Sequence, residues 1–353
     1  MFDRLRAGYC LILILAAGEL ALANWLGTQT LASYFRISTI FSASLLSMFP
    51  LILWLSAVSL SVVWRRVDRP SLKIYRAFRA NRNWLARGML FSFLAVPLGR
   101  AVTEVKVAIP SIRPFYADPR LIDLDLLIFR TDPWQLTHRW IGPMATVAID
   151  RAYALWFVTM MLFIGWAAFT RRADMQVRML LALFLTWILL GNILAITFSS
   201  VGPCFYQHFY GNPRFAELME IQQGYDARYG LKSIMAMRYL MDSFGTLKLG
   251  SGISAMPSIH VGVSFLFVLA CRSHFKRRWG TWLAAAYAAV IYVGSIHLGW
   301  HYAVDGLVSI VLVALIWAGC GVFVAWLERC ERSGKQFQAI GRRIVQRGQG
   351  VIG

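Results

Sequence analysis

Long apolar runs separated by short connectors rich in arginine and lysine recur along almost all of this 353-residue chain. About 20 apolar residues carry an α-helix across the hydrocarbon core of a bilayer. Backbone placed in lipid must satisfy its own hydrogen bonds, which helices and closed barrels alone can do. Runs near 9–27, 39–64, 89–109, 144–169, 179–199, 258–271, 281–300 and 302–327 predict about eight transmembrane helices. The expected fold class is therefore all-α integral membrane. Charged residues make up 15% of the chain, against about 25% in a soluble domain. The 14 Trp and 13 Tyr suit aromatic belts at the two interfaces.

A net charge of +19 first suggests nucleic acid, but its distribution points elsewhere. The N-terminus, 65–88, 171–178, 272–280 and the tail from 328 would share one side of the membrane. They hold 23 Lys/Arg against five acids (Asp3, Asp68, Asp174, Glu328, Glu331), leaving 13 basic and 12 acidic residues for the rest. That one-sided excess is the positive-inside pattern and places both termini in the cytoplasm. If the chain is bacterial, the membrane is the inner one. Arg65, Arg66, Arg69, Lys73, Arg76, Arg79, Arg82 and Arg87 would face anionic headgroups. No aromatic–basic interleaving supports nucleic-acid binding. The start, Phe2–Arg6 followed by an apolar run and Ala21-Leu22-Ala23, has a signal-peptide outline. A retained first span is preferred, because apolar character continues to Leu26. The five Cys (10, 204, 271, 320, 330) are widely spaced and suggest neither a disulfide nor a metal cluster.

The expected organisation is 1–110 as N-terminal transmembrane helices with a basic cytoplasmic loop at 65–88, then 111–143 as an outer interfacial segment. Next come 144–327, a membrane core with an outer lid at 200–257, and 328–353, a basic cytoplasmic tail. Helices near 213–222 and 228–243 are expected in the lid. Charges within spans tend to face the bundle interior. Arg100 and Glu104, spaced i,i+4, are expected to pair.

Three clusters carry chemistry, all at span ends on the outer side. In Met256-Pro257-Ser258-Ile259-His260, proline suits the first helical turn. The free amides of that turn suit a phosphate. Gly250 and Gly252 would let the backbone approach a ligand closely, and His260 would stand beside it. In Gly299-Trp300-His301-Tyr302-Ala303-Val304-Asp305, a helix begun by His301 would put His301 and Asp305 on one face. A carboxylate on one ring nitrogen frees the other as nucleophile or base. The same pair could simply cap a helix. Lys106 and Arg113-Pro114 form the third cluster and could hold phosphate oxygens, although Lys106 equally suits snorkelling to the interface. His297, His301 and Asp305 would form a metal-like stripe only if one helix ran through them. A break near Gly299 would separate His297, so no metal and no cofactor is expected.

The segments around His260 and around His301/Asp305 resemble the second and third motifs of the type 2 phosphatidic acid phosphatase superfamily, Pro-Ser-x-His and a terminal His-x-x-x-Asp. The resemblance implies that superfamily's helical core with interfacial helices. It implies His301 as nucleophile, Asp305 as its orienting partner, His260 as proton donor to the leaving group, a phosphohistidine intermediate and no metal. Lys106, Arg113, Ser258 and Gly252 would bind substrate. Ile259 stands where the superfamily has Gly, and Gly294-Ser295 stand where the third motif has Ser-Arg. The Lys106-to-Arg113-Pro114 spacing matches the first motif but lies two spans upstream of its usual place. The arginine-poor third motif, Gly202-Pro203-Cys204, Phe115-Tyr116-Ala117-Asp118-Pro119 and Leu124-Asp125 resemble the inositolphosphorylceramide synthase-like (inositol phosphotransferase) branch.

The function expected is transfer of a phospho-headgroup to a lipid or polyol acceptor. The alternatives are a lipid phosphate phosphatase using water, and a carrier without chemistry, for which no inverted repeat or pair of broken spans is evident. The expected partners are a phospholipid or lipid phosphate and the bilayer, not nucleic acid. Oligomeric state is not legible. The charge asymmetry generates one topological prediction. Single cysteines at 256 and 299 are labelled by an impermeant maleimide from the non-cytoplasmic side of intact cells. Labelling from the cytoplasmic side alone would reverse the orientation.

Overall fold

The structure is a computed structural model and describes residues 5–27, 36–248 and 250–349. Asp3 and Arg4 of the basic N-terminus and residues 350–353 of the tail lie outside the described residues. All regular elements among the described residues are helical. In chain order they are α1 (Arg6–Leu26), α2 (Ile37–Trp64), α3 (Pro70–Ile112), α4 (Asp118–Phe129), α5 (Pro133–Trp140), α6 (Pro143–Ala154), α7 (Trp156–Phe169) and α8 (Ala173–Thr186). A π-helical stretch, Trp187–Leu194, and the short Ala195–Thr197 continue α8. Then come α9 (Pro203–Tyr210), α10 (Ala216–Tyr229), α11 (Lys232–Asp242), α12 (Ile259–His274), α13 (Trp279–His297) and α14 (Ala303–Gln349).

Seven helices among the described residues are long and apolar enough to cross a membrane. The eighth expected span corresponds to α12, whose 16 residues cover about 24 Å at 1.5 Å per residue. The chain is an integral-membrane, all-helical protein. The core lies where α1, α7, α8, α12 and α14 meet, around Tyr9, Ile12, Trp156, Met179, Leu190, Leu266 and Val313. α2 leans on α3 at the periphery and leaves most of its apolar surface outward.

Three details differ from expectation. The basic stretch 73–87 is helix rather than loop, and it runs unbroken into the third span. Proline at its start and a sequence of Arg, Lys, Ala and Leu favour helix throughout. Arg100 donates to Thr39 Oγ1 (3.0 Å) rather than pairing with Glu104. The segment 200–257 holds α9 as well as α10 and α11, because Gly202 (φ +85°) turns the chain into Pro203 at a helix start.

Several polar groups inside the bundle are matched in pairs. Glu19 on α1 accepts from Asn192 on the π-helical stretch (2.7 and 2.9 Å). Tyr9 donates to Gln176 (2.5 Å). Close approach of α3 to α7 depends on Gly88, where a methyl would overlap the Phe169 ring. Overpacking of this kind costs about 1–3 kcal/mol. Gly88→Ala should therefore lower the thermal midpoint of detergent-solubilised protein. An unchanged midpoint would mean that Phe169 has room to move.

Candidate active site

α13 ends at His297, and the chain reverses at Gly299, whose φ is +80°. The Trp300 and His301 amides both donate back to Ser295 O (2.9 and 3.0 Å). This tight turn sets His301 outside either helix, two residues before α14 begins at Ala303. The pair still meets: His301 Nδ1 lies 3.3 Å from Asp305 Oδ2, with both side chains buried. Asp305 Oδ2 also accepts the Tyr302 amide (3.1 Å). Among the described residues, Nε2 is the His301 ring nitrogen left unengaged.

α12 starts at the same level. Ser258 caps it, its hydroxyl accepting from the Val261 amide, while Pro257 precedes the cap rather than sitting in the first turn. The Ser258 amide donates to Asp305 O (3.4 Å), which joins the two motifs directly. His260 projects from the first turn, 6.3 Å from His301 between ring centroids. Tyr153 stacks on His260 at 5.0 Å, Trp156 tilts against it at 4.2 Å, and Phe157 meets it edge-on at 6.0 Å. The Trp156 indole donates to His260 O (3.0 Å) and fixes that turn.

Lys106 lies on α3 beside the loop that leads into α12. No hydrogen bond or ion pair engages Lys106 among the described residues. Gly252, in the left-handed region at φ +92°, lies against the same helix: a Cβ there would sit 3.0 Å from Lys106 C and Val107 N. The close approach that needs Gly252 is thus to backbone of α3. Arg113 goes elsewhere. It is exposed, with its guanidinium 4.4 Å over the Tyr116 ring, and makes no hydrogen bond or ion pair with His260 or His301. His297 is likewise apart, its ring nitrogens facing Thr146 Oγ1 (2.8 Å) and Thr137 Oγ1 (3.0 Å) and its ring stacked on His138 at 3.9 Å.

Two aspartates that residue-type reasoning passed over as site residues hold this end of the molecule together. Asp118 is fully buried and accepts from the amides of Val201 (3.0 Å) and Gly202 (2.8 Å) and from the hydroxyls of Tyr302 (2.9 Å) and Tyr210 (3.0 Å). Asp125 accepts from the amides of Ala303 (2.8 Å) and Val304 (2.9 Å). Burial pushes the Asp118 carboxyl above the usual range, against the pull of its four donors. Burial also pushes Asp125 up to about 6, with the charges of Asp305 and Asp132 adding to it and the two amides opposing. Spacing was the available signal, since residues 118 and 125 lie two turns apart on one face of a helix.

A profile of the PAP2 superfamily matches residues 122–319, more than half of the chain. The chain belongs to the PAP2 superfamily. No curated protein and no solved structure matches it significantly. PAP2 members are phosphatases and phosphotransferases, so membership supports an activity of that kind on phosphate esters. Asp125, Ser258, His260, His301 and Asp305 fall within the matched region; Lys106, Arg113 and Asp118 precede it.

Each hydrogen bond to a charged group is worth about 1.5–3 kcal/mol, and removing the acceptor leaves buried donors unpaired. Asp118→Ala strands two amides and two hydroxyls. It should lower stability by more than about 3 kcal/mol on that scale, seen as a large fall in thermal midpoint. A shift no larger than that of an exposed control, Asp123→Ala, would show that water replaces the carboxylate.

Proposed function

We propose that this PAP2 member is an integral-membrane phosphotransferase that moves a phospho-headgroup between lipids, or from a lipid to a polyol, through a phosphohistidine on His301. The observation that carries the reading is the grouping at one span end. The His260 and His301 rings lie 6.3 Å apart between centroids, and His301 is already bonded to Asp305.

His301 Nε2 attacks phosphorus in line; the P–N bond forms as the P–O bond to the leaving alcohol breaks. His260 enters protonated and gives its proton to that oxygen. Asp305 stabilises the positive charge on His301 and fixes its tautomer. In the second step His260 takes a proton from the acceptor hydroxyl, the new P–O bond forms and the P–N bond breaks. Lys106 and the free amides at the start of α12 stabilise the equatorial oxygens. The superfamily's arginine position is Ser295, which is buried with its hydroxyl on Tyr292 O (2.7 Å). Neighbouring Gly294 has no room for a side chain, since a Cβ would come 2.8 Å from Ile149. A cation is therefore supplied from α3. In the proposed topology the site faces the non-cytoplasmic side.

The reading is tested on purified protein with a panel of radiolabelled phospholipids, with and without a lipid alcohol or polyol acceptor. Acid-labile phosphate should be trapped on wild-type protein and be lost in His301→Ala; label persisting in that variant would reject the nucleophile. Chelator should leave turnover unchanged. Lys106→Gln should slow turnover by about 10²-fold, the scale of losing one transition-state donor. Arg113→Ala should stay near the wild-type rate, and the opposite ranking would move the cation to Arg113. Free phosphate released equally with and without acceptor would make the protein a phosphatase.

A further inference from the structure

Asp125 takes no part in these steps, yet it is one of the most thoroughly buried carboxylates in the protein and meets the start of the helix that bears Asp305. The first amides of any helix have no acceptor within it. A Ser, Thr, Asp or Asn just before the first turn can supply one from its own side chain, as Ser258 does for α12. In α14 that position is held by Tyr302, whose hydroxyl is turned to Asp118 and whose amide is held by Asp305. The acceptors for Ala303 and Val304 come from 178 and 179 residues upstream, one oxygen of Asp125 to each amide. We propose that Asp125 is a positioning residue for the nucleophile, a two-oxygen clamp on α14 that sets the register of His301 against His260. The inference rests on the phosphotransfer reading of this site.

The geometry assigns this role for three reasons. A single acceptor lets a helix end swivel, whereas two oxygens on consecutive amides fix its rotation about the axis. Asp118 adds a third point on the same short stretch through the Tyr302 hydroxyl, and both carboxylates come from one face of α4. The stretch 301–305 is thereby held from outside at Tyr302, Ala303 and Val304. Finally, the His301–Asp305 contact is long, at 3.3 Å, so it does not by itself impose the ring's position. A negative charge at this helix start is also favourable to the helix dipole. Displacing a catalytic group by about 1 Å can cost about 10²-fold in rate.

The test uses full-length protein in lipid nanodiscs, wild type beside Asp125→Ala, Asp125→Asn and the exposed neighbour control Asp123→Asn. Radiolabelled phosphatidate is the phosphoryl donor for rapid-quench measurement of phosphoenzyme formation. In Asp125→Ala, amide exchange at Ala303 and Val304 should rise by about tenfold, the equivalent of a lost cap. The rate of phosphoenzyme formation should fall by about 10²-fold, with its final stoichiometry and KM held near wild type. Asp125→Asn keeps one acceptor oxygen and should recover part of the rate; Asp123→Asn should match wild type. A purely structural cap would instead reduce the stoichiometry, as fewer molecules fold, and leave the rate per folded site unchanged. That outcome overturns the proposal, as does unchanged amide exchange. Should Asp125→Ala fail to fold, Asp125→Asn carries the same comparison. Should wild type form no phosphoenzyme, the phosphotransfer reading fails by itself. The rate of His301 carbethoxylation by diethylpyrocarbonate then decides whether Asp125 holds the ring, and an unchanged rate in Asp125→Asn rejects it.

Discussion

The end of the molecule that bears His260 and His301 depends on buried carboxylates that accept backbone amides across long sequence distances. Asp118 binds the Val201–Gly202 turn, and Asp125 binds the start of α14. A third, Asp150 on α6, accepts from the Lys232 and Ser233 amides at the start of α11 (2.8 and 2.7 Å). In each case the chain has left a helix or is about to enter one, and its amides have no partner of their own. Away from bulk water such amides are costly to leave unpaired. A carboxylate offers two acceptor oxygens and so satisfies a pair of them. The short helices between spans are thereby fastened to the span ends rather than lying loosely over them.

The consequence is a site built from four chain segments that meet at one level. The 199–204 loop abuts the 299–301 turn, where the Cys204 amide donates to Gly299 O (2.8 Å). The loop before α12 is stitched to the same segment by Ala255 to Ser200 O (3.0 Å) and Met256 to Ser200 Oγ (2.9 Å). α3 then brings Lys106 alongside, with Gly252 permitting the contact. Many backbone amides of these segments donate to another segment, which holds them in register.

Beneath that level the bundle obeys a simpler rule. Several of its polar residues occur as matched pairs, such as Glu19 with Asn192 and Tyr9 with Gln176, and close crossings are made at glycine. The second histidine pair, His138 with His297, belongs to this structural class. Its partners are two threonine hydroxyls, a carbonyl and the Gln222 amide.

The sequence by itself determined the membrane class, because span length and apolar content follow from the thickness of the bilayer and need no tertiary contact. It also located the two histidine motifs, since Ser258 and His260, and His301 and Asp305, are close in the chain and act within single turns. It could not show that Arg113 turns to Tyr116 while Lys106 packs beside Gly252. Both are long cations seven residues apart, and only the packing of α3 against the 250–257 loop separates them. Nor could it show that Asp125 meets the amides of Ala303 and Val304. That contact joins residues 178 or more positions apart. Pairings over such distances leave no local period or spacing, because they are set by how the helices pack and by which buried amides then lack an acceptor.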